Sequence, residues 1–303
     1  MDSIVKSPTT LAILFGASAF PDADLPAYAS FGRSVERFKS YLLESLAVQP
    51  DNIFNLFDSD AWPGELGDSI EEWMKARKQA CGVSDVFFFY VGHGVVDSGA
   101  FRMASRRTGR GYKVTNSSLS SKTLKDVLYR SASEANFYVV LDCCYAASAH
   151  QDFQDTPSKS PAVLYTAAGA RIEAIAKEDE PYTRFSDALF AALTQGVEGT
   201  DEHLSFRQLE TTVDDIYRQR HPNEFVKPQL GAPNAPLVNV LELPVFPNPG
   251  FEEAALHYEY FTRWIRRRGV PGDWVRLRSK RLSGEKSPPE CCAREGESAK
   301  LKP

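Results

Sequence analysis

"VFFFYVGHG", residues 86–94, runs through six apolar, β-prone side chains and stops at Gly-His-Gly. A strand with one wet face alternates apolar and polar residues, whereas an unbroken run marks a strand covered on both faces, central in a parallel sheet. Similar runs lie on either side: "LAILFG" (11–16) and "NIFNLF" (52–57) before it, "NFYVVLD" (136–142), "AVLYTAA" (162–168) and "LVNVLEL" (237–243) after it. Between them the apolar spacing changes to three or four residues, the period of a helix face. Phe31, Val35, Phe38, Leu42 and Leu46 define one such face, and Leu66, Ile70, Trp73 and Arg77 mark a helix over 66–80. Leu124, Val127 and Leu128 sit on a short helix, Phe185, Ala188, Leu189, Ala192 and Leu193 on another, and "FRQLETTVDDIYRQ" (206–219) forms the last. "RMASRRTGRGYK" (102–113) reads as a Gly- and Arg-rich loop. Strands alternating with helices predict an α/β fold around a mostly parallel sheet of six strands.

The chain of 303 residues is long enough to bury a substantial core, and 43% hydrophobic with 25% charged residues is ordinary for a globular protein. A net charge of −5 gives no general reason to expect nucleic acid as a partner. No apolar run reaches the eighteen or so residues of a membrane span, and the N-terminus lacks the pattern of a signal peptide, so a cytoplasmic setting without a membrane partner is expected. Cys81, Cys143, Cys144, Cys291 and Cys292 show neither zinc spacing nor a disulfide framework, which fits a reducing compartment. Past residue 244 the composition shifts. Residues 263–286 carry nine Lys or Arg against two acids, and the end is polar with Pro and Gly, so 245–303 reads as an appended helix and a poorly ordered basic tail. The run "RWIRRRG" (263–269) is a candidate contact for an acidic partner or nucleic acid, but it is read as a solvated helix face, since one short run makes no extended basic footprint.

In open α/β sheets, ligands bind beyond the carboxyl ends of the strands. Two polar signals occur there. His93 follows the central strand directly, with Gly94 allowing a substrate backbone to come close, and Asp142, Cys143 and Cys144 close another strand. Singly, a strand-end cysteine is usually core and a lone histidine usually structural. Together, on strands that can be neighbours and 51 residues apart from His93 to Cys144, the imidazole and one of the two thiols, Cys143 or Cys144, match what a cysteine hydrolase needs. An imidazole takes the thiol proton and later protonates the departing amine, and backbone N–H groups such as that of Gly94 stabilise the oxyanion.

The sequence resembles the caspase–metacaspase superfamily of cysteine peptidases, in particular its compact prokaryotic members. "YVGHG" is similar to the family's histidine motif, "DCCYA" to the metacaspase cysteine motif, and likeness extends over residues 9–243, including "VDSGAFRMAS" and "VKPQLG". A histidine about 50 residues before the cysteine is usual in caspases. The resemblance implies a three-layer caspase-like fold with a mostly parallel six-stranded sheet and helices on both faces. It also implies one peptidase domain over 1–244, with a large-subunit-like part at 9–150 and a small-subunit-like part at 160–244. The register places Cys144 as the nucleophile and Cys143 facing the core. Ala146 and Ala147 replace the motif's usual Ser-Gly, which leaves the loop less freedom at positive φ.

Asp142 stands where metacaspases hold a carboxylate for an Arg or Lys before the cut bond, the P1 residue. Asp22 or Asp24, in the loop after the first strand, is the candidate second S1 carboxylate, and a capping role for Asp142 on the next helix can coexist with binding. Cleavage after Arg or Lys of protein substrates is thus expected, with Asp-specific cleavage or a catalytically silent binding module as alternatives. Arg106, Arg107 and Arg110, and Lys159 in the loop after the nucleophile, are candidate processing sites, cut by the protein itself or by a separate activating protease. Relatives of this kind suggest a role in bacterial stress, defence or cell death. No cofactor is implied; some metacaspases need calcium, yet acidic stretches such as 58–60 lack the spacing of a known calcium loop.

Overall fold

The computed structural model describes residues 5, 7–110, 113–154, 160–169, 180–199, 201–224, 226–233 and 240–251. The chain begins with β1 (Thr10–Gly16), crosses through α1 (Ala29–Glu44) to β2 (Ile53–Phe57), and returns through α2 (Pro63–Cys81) to β3 (Asp85–Val91). A side excursion follows: β4 (Gly94–Asp97), β5 (Ala100–Ala104), α3 (Val114–Ser117) and β6 (Ser118–Ser120). Then come α4 (Ser121–Ser131), β7 (Asn136–Asp142), α5 (Ala149–Gln154), β8 (Ala162–Thr166) and α6 (Arg184–Gln195). The chain continues through β9 (His203–Leu204), α7 (Phe206–Arg220), β10 (Gln229–Gly231) and β11 (Phe246–Pro247).

Six strands form the main sheet in the order β10-β8-β7-β3-β1-β2. The five from β8 to β2 are parallel, and β10 runs antiparallel along β8. The uninterrupted apolar run of β3 has the expected cause: all seven of its residues are buried, between β1 and β7. Because side chains alternate along a strand, its two sets enter two cores. Phe87, Phe89 and Val91 pack with α1, α6 and α7, whereas Val86, Phe88 and Tyr90 pack with α2, α4 and α5. Three layers result.

The helices start where their caps stop the chain from extending. Ser120 accepts from Thr123 N–H ahead of α4, Thr183 from Ser186 N–H ahead of α6, and Ser205 forms a reciprocal box with Gln208 ahead of α7. On α2 the buried line runs through Leu66, Ile70 and Met74, while Trp73 stacks on Phe54 at 5.0 Å and Arg77 bonds Asn52. Among the described residues no helix is long and apolar enough to cross a membrane.

Two expectations are corrected. Of the strand expected at 237–243, residues 237–239 lie outside the described residues and Val240–Glu242 is a 3-10 turn; Gln229–Gly231 occupies the sheet edge. Short apolar runs do not tell a strand from a buried turn, because both bury the same side chains. The presumed loop at 102–113 begins as a strand, since β5 pairs antiparallel with β4 and β6 in a separate three-stranded sheet. Residues 245–251 pack on the domain: β11 pairs with β9, and Phe246 is buried against Phe206 at 4.9 Å. The basic run 263–269 lies outside the described residues.

Candidate active site

The register of the two central strands locates the site. Val91 of β3 pairs with Asp142 of β7, and Gly92 N–H donates to the Asp142 carbonyl at 3.3 Å. His93 and Cys144 each lie two residues beyond that pair, so adjacent parallel strands deliver them to the same edge of the sheet. Both line one cleft of about 680 Å³, whose other walls include Leu25, Pro26, Tyr28 and Val96.

His93 is held from several sides. Its ring meets Phe20 and Phe31 edge-on at 5.0 and 5.3 Å and lies 6.0 Å from Tyr28. Its Nε2 is 2.7 Å from the Pro26 carbonyl, which can only accept, so Nε2 carries the proton and Nδ1 keeps its lone pair. Burial lowers the imidazole's pKa below its ordinary value, the Pro26 bond opposing this in part, and the neutral form is favoured. The ring therefore keeps Nδ1 as its free acceptor nitrogen.

A Cβ on Gly94 would stand 1.9 Å from the Cys144 carbonyl oxygen, so glycine there lets the backbone of Cys144 come close. On the other side, Cys144 is half-buried whereas Cys143 is buried in the α2/α4/α5 core, where desolvation pushes its thiol well up and keeps it protonated. The left-handed position falls on Tyr145, at φ 57°, immediately after Cys144. Ala146 and Ala147 then take a 3-10 turn, so the absent Ser-Gly is not where the loop needs positive φ. Ala147 N–H donates to Ala168 O at 3.1 Å and Ala167 N–H to Leu141 O at 2.9 Å, which ties the loop to the end of β8.

Asp142 is 2% exposed and lines the cleft. It does not cap the helix that follows it. Instead Thr183, the N-cap of the distant α6, and Ser186 in its first turn both donate their hydroxyls to its Oδ2. Burial raises its pKa to about 6, held there against further rise by Ser186 and Thr183. Behind Thr183, the buried Arg184 pairs with Glu180 at 2.9 Å and with Glu224, and Glu224 also accepts from Tyr217 at 3.0 Å. Two carboxylates thus already pair with that guanidinium.

Asp22 and Asp24 do not line the cleft; both are exposed, and Asp24 pairs with Arg110 at 2.7 Å. Arg106 and Arg107 pair with Asp60 at 3.2 and 3.7 Å, and Arg107 also donates to the Asp60 carbonyl. Asp58 accepts from the N–H and hydroxyl of Ser18. Lys159 lies outside the described residues. Among the described residues no cluster of three or more His, Cys, Asp or Glu could hold a metal ion. Sequence reasoning missed Pro26, Thr183, Ser186 and the aromatic walls around His93. The first acts through its backbone and the rest through contacts remote in sequence, so none leaves a local signal.

No protein-family model and no curated protein matches the chain. Solved structures do. A crystal structure of Spodoptera frugiperda caspase-1 superposes with a TM-score of 0.53 at 12% identity, over 79% of this chain and 90% of that one. A Geobacter sulfurreducens protein matches with a TM-score of 0.51 at 14% identity, over 80% of this chain and 99% of its own. The fold is caspase-like.

Proposed function

We propose that this caspase-like fold carries a cysteine endopeptidase with Cys144 as nucleophile and His93 as general base and acid, cutting proteins after Arg or Lys. The observation that carries the reading is the level placement of His93 and Cys144 at the ends of paired strands in one cleft, with the far imidazole nitrogen engaged by Pro26. His93 Nδ1 takes the Cys144 proton, and the thiolate attacks the substrate carbonyl carbon. The oxyanion is stabilised by backbone N–H donors, for which those of Gly94 and Cys144 are the candidates. The tetrahedral adduct collapses as the imidazolium protonates the departing amine, leaving a thioester. Water, deprotonated by the same Nδ1, then releases the acid and returns the proton to the thiol.

Asp142 is the proposed P1 partner. A carboxylate at the wall of a half-enclosed cleft attracts a guanidinium or ammonium and repels an acidic side chain. Among the described residues lining the cleft there is no Arg or Lys, which argues against cleavage after Asp. Thr183 and Ser186 hold the carboxyl in place, and above about pH 6 it is ionised. The family resemblance supplies the setting proposed here, a regulated protease of a bacterial stress, defence or cell-death pathway. Cleavage at Arg106, Arg107 or Arg110 is the proposed control, and mass spectrometry showing only intact chain at full activity would refute it.

The deciding experiment is hydrolysis of fluorogenic peptides ending in Arg, Lys or Asp by the full chain, by Cys144→Ala and by His93→Ala, with and without calcium. Turnover after Arg or Lys that disappears in both variants is expected. Turnover after Asp would discard the role of Asp142, and activity surviving in Cys144→Ala would discard the dyad.

A further inference from the structure

We infer that Tyr90 is a positioning residue whose hydroxyl pins the His93 backbone and thereby fixes the imidazole over Cys144. This rests on the reading of His93 and Cys144 as the catalytic pair. Tyr90 is the penultimate residue of β3 and fully buried, with its ring 5.5 Å from Phe15. Its hydroxyl reaches beneath the Gly-His-Gly turn, 2.8 Å from the His93 carbonyl and 2.9 Å from the Ala104 carbonyl. One hydroxyl proton faces two acceptors, so the bond is shared, and both carbonyls are drawn to a single point. The His93 carbonyl also accepts Ala104 N–H at 3.0 Å, which gives it two donors.

The surrounding chain is built around this bond. A Cβ on Gly92 would stand 2.7 Å from the Tyr90 hydroxyl, and a Cβ on Gly94 would strike the Cys144 carbonyl. The His93 backbone therefore lies between the hydroxyl below and the nucleophile's own backbone beside it. Burial, reinforced by the nearby Cys143 and Cys144, keeps the phenol protonated well past its usual range, so it stays a donor. Such pairing is not automatic for a buried tyrosine in this fold: the Tyr41 and Tyr165 hydroxyls have no partner among the described residues.

The test sets Tyr90→Phe against Tyr138→Phe in the full chain. Tyr138 has an equally buried hydroxyl, bonded to Asp85 at the opposite end of β3, and so reports what losing such a bond costs the fold alone. Peptide hydrolysis gives kcat and KM. The pH dependence of Cys144 alkylation by iodoacetamide, read by mass spectrometry of the Cys144 peptide, reports the thiol–imidazole pair without turnover. Tyr90→Phe is expected to lower kcat about ten- to a hundredfold with KM held within about twofold, the signature of a misplaced catalytic group. Its alkylation profile is expected to move up toward that of an ordinary thiol, while Tyr138→Phe changes neither readout at a similar loss of Tm. An unchanged alkylation profile in Tyr90→Phe, or an equal fall in both variants, would overturn the inference. A wild-type chain with no turnover, whose Cys144 alkylates like an ordinary thiol, would remove the dyad itself and the inference with it.

Discussion

Replacing Asp142 by Asn removes one charge from the cleft while keeping the shape of the side chain and an acceptor for Thr183 and Ser186. If the carboxylate holds a P1 guanidinium, the variant leaves that cation without its partner. Losing one half of such a buried pair costs about 2–5 kcal/mol, which is roughly thirtyfold to several thousandfold in kcat/KM. The carboxyl's own ionisation provides an independent scale. With a pKa of about 6, it is almost wholly charged at pH 8 and about one-tenth charged at pH 5. The assay is the ratio of kcat/KM for a peptide ending in Arg to that for the same peptide ending in citrulline, measured from pH 5 to pH 8. Both substrates undergo the same acyl transfer, so titration of His93 and Cys144 cancels and only the P1 interaction remains. The ratio should be level above about pH 7 and fall by about tenfold by pH 5, and in Asp142→Asn it should be near unity and flat. A wild-type ratio independent of pH, or an Arg preference surviving in Asp142→Asn, would refute the reasoning and leave Asp142 as a structural link between β7 and α6.

The same carboxyl makes a stability prediction. Its folded pKa is raised from 3.8 to about 6, so its contribution favours folding fully below pH 3.8 and is lost as pH rises through 6. That difference is about 3 kcal/mol, and Asp142→Asn should therefore raise Tm at pH 8 and leave it unchanged near pH 3.5, as differential scanning calorimetry would record. Gly94→Ala should abolish turnover, because the new methyl overlaps the Cys144 carbonyl and the two strand ends must separate; peptide hydrolysis beside a circular-dichroism melt would read this. Arg184→Met leaves Glu180 and Glu224 without their buried cation and should destabilise the chain by about 3–5 kcal/mol in urea unfolding.

The sequence by itself determined the layered α/β plan, because a strand buried on both faces has no polar position and its continuous apolar run is visible in one dimension. It also marked the two strand ends at which the candidate site lies: Gly-His-Gly and Asp-Cys-Cys interrupt such runs at the point where they must leave the core. Short elements were not legible. The three- to five-residue strands of the small sheet mix polar with apolar side chains, and Gln229–Gly231 is a strand only because the edge of β8 is there to pair with it. What only the tertiary structure decided is how the site is held. The Pro26 carbonyl orients His93, the N-cap and first turn of α6 supply the hydroxyls that bond Asp142, and Tyr145 takes the left-handed position beside Cys144. Each is a contact between segments remote in sequence, or a backbone group that every residue possesses. No pattern of side-chain types along the chain can encode them, because they exist only once the two cores have closed and brought the loops together.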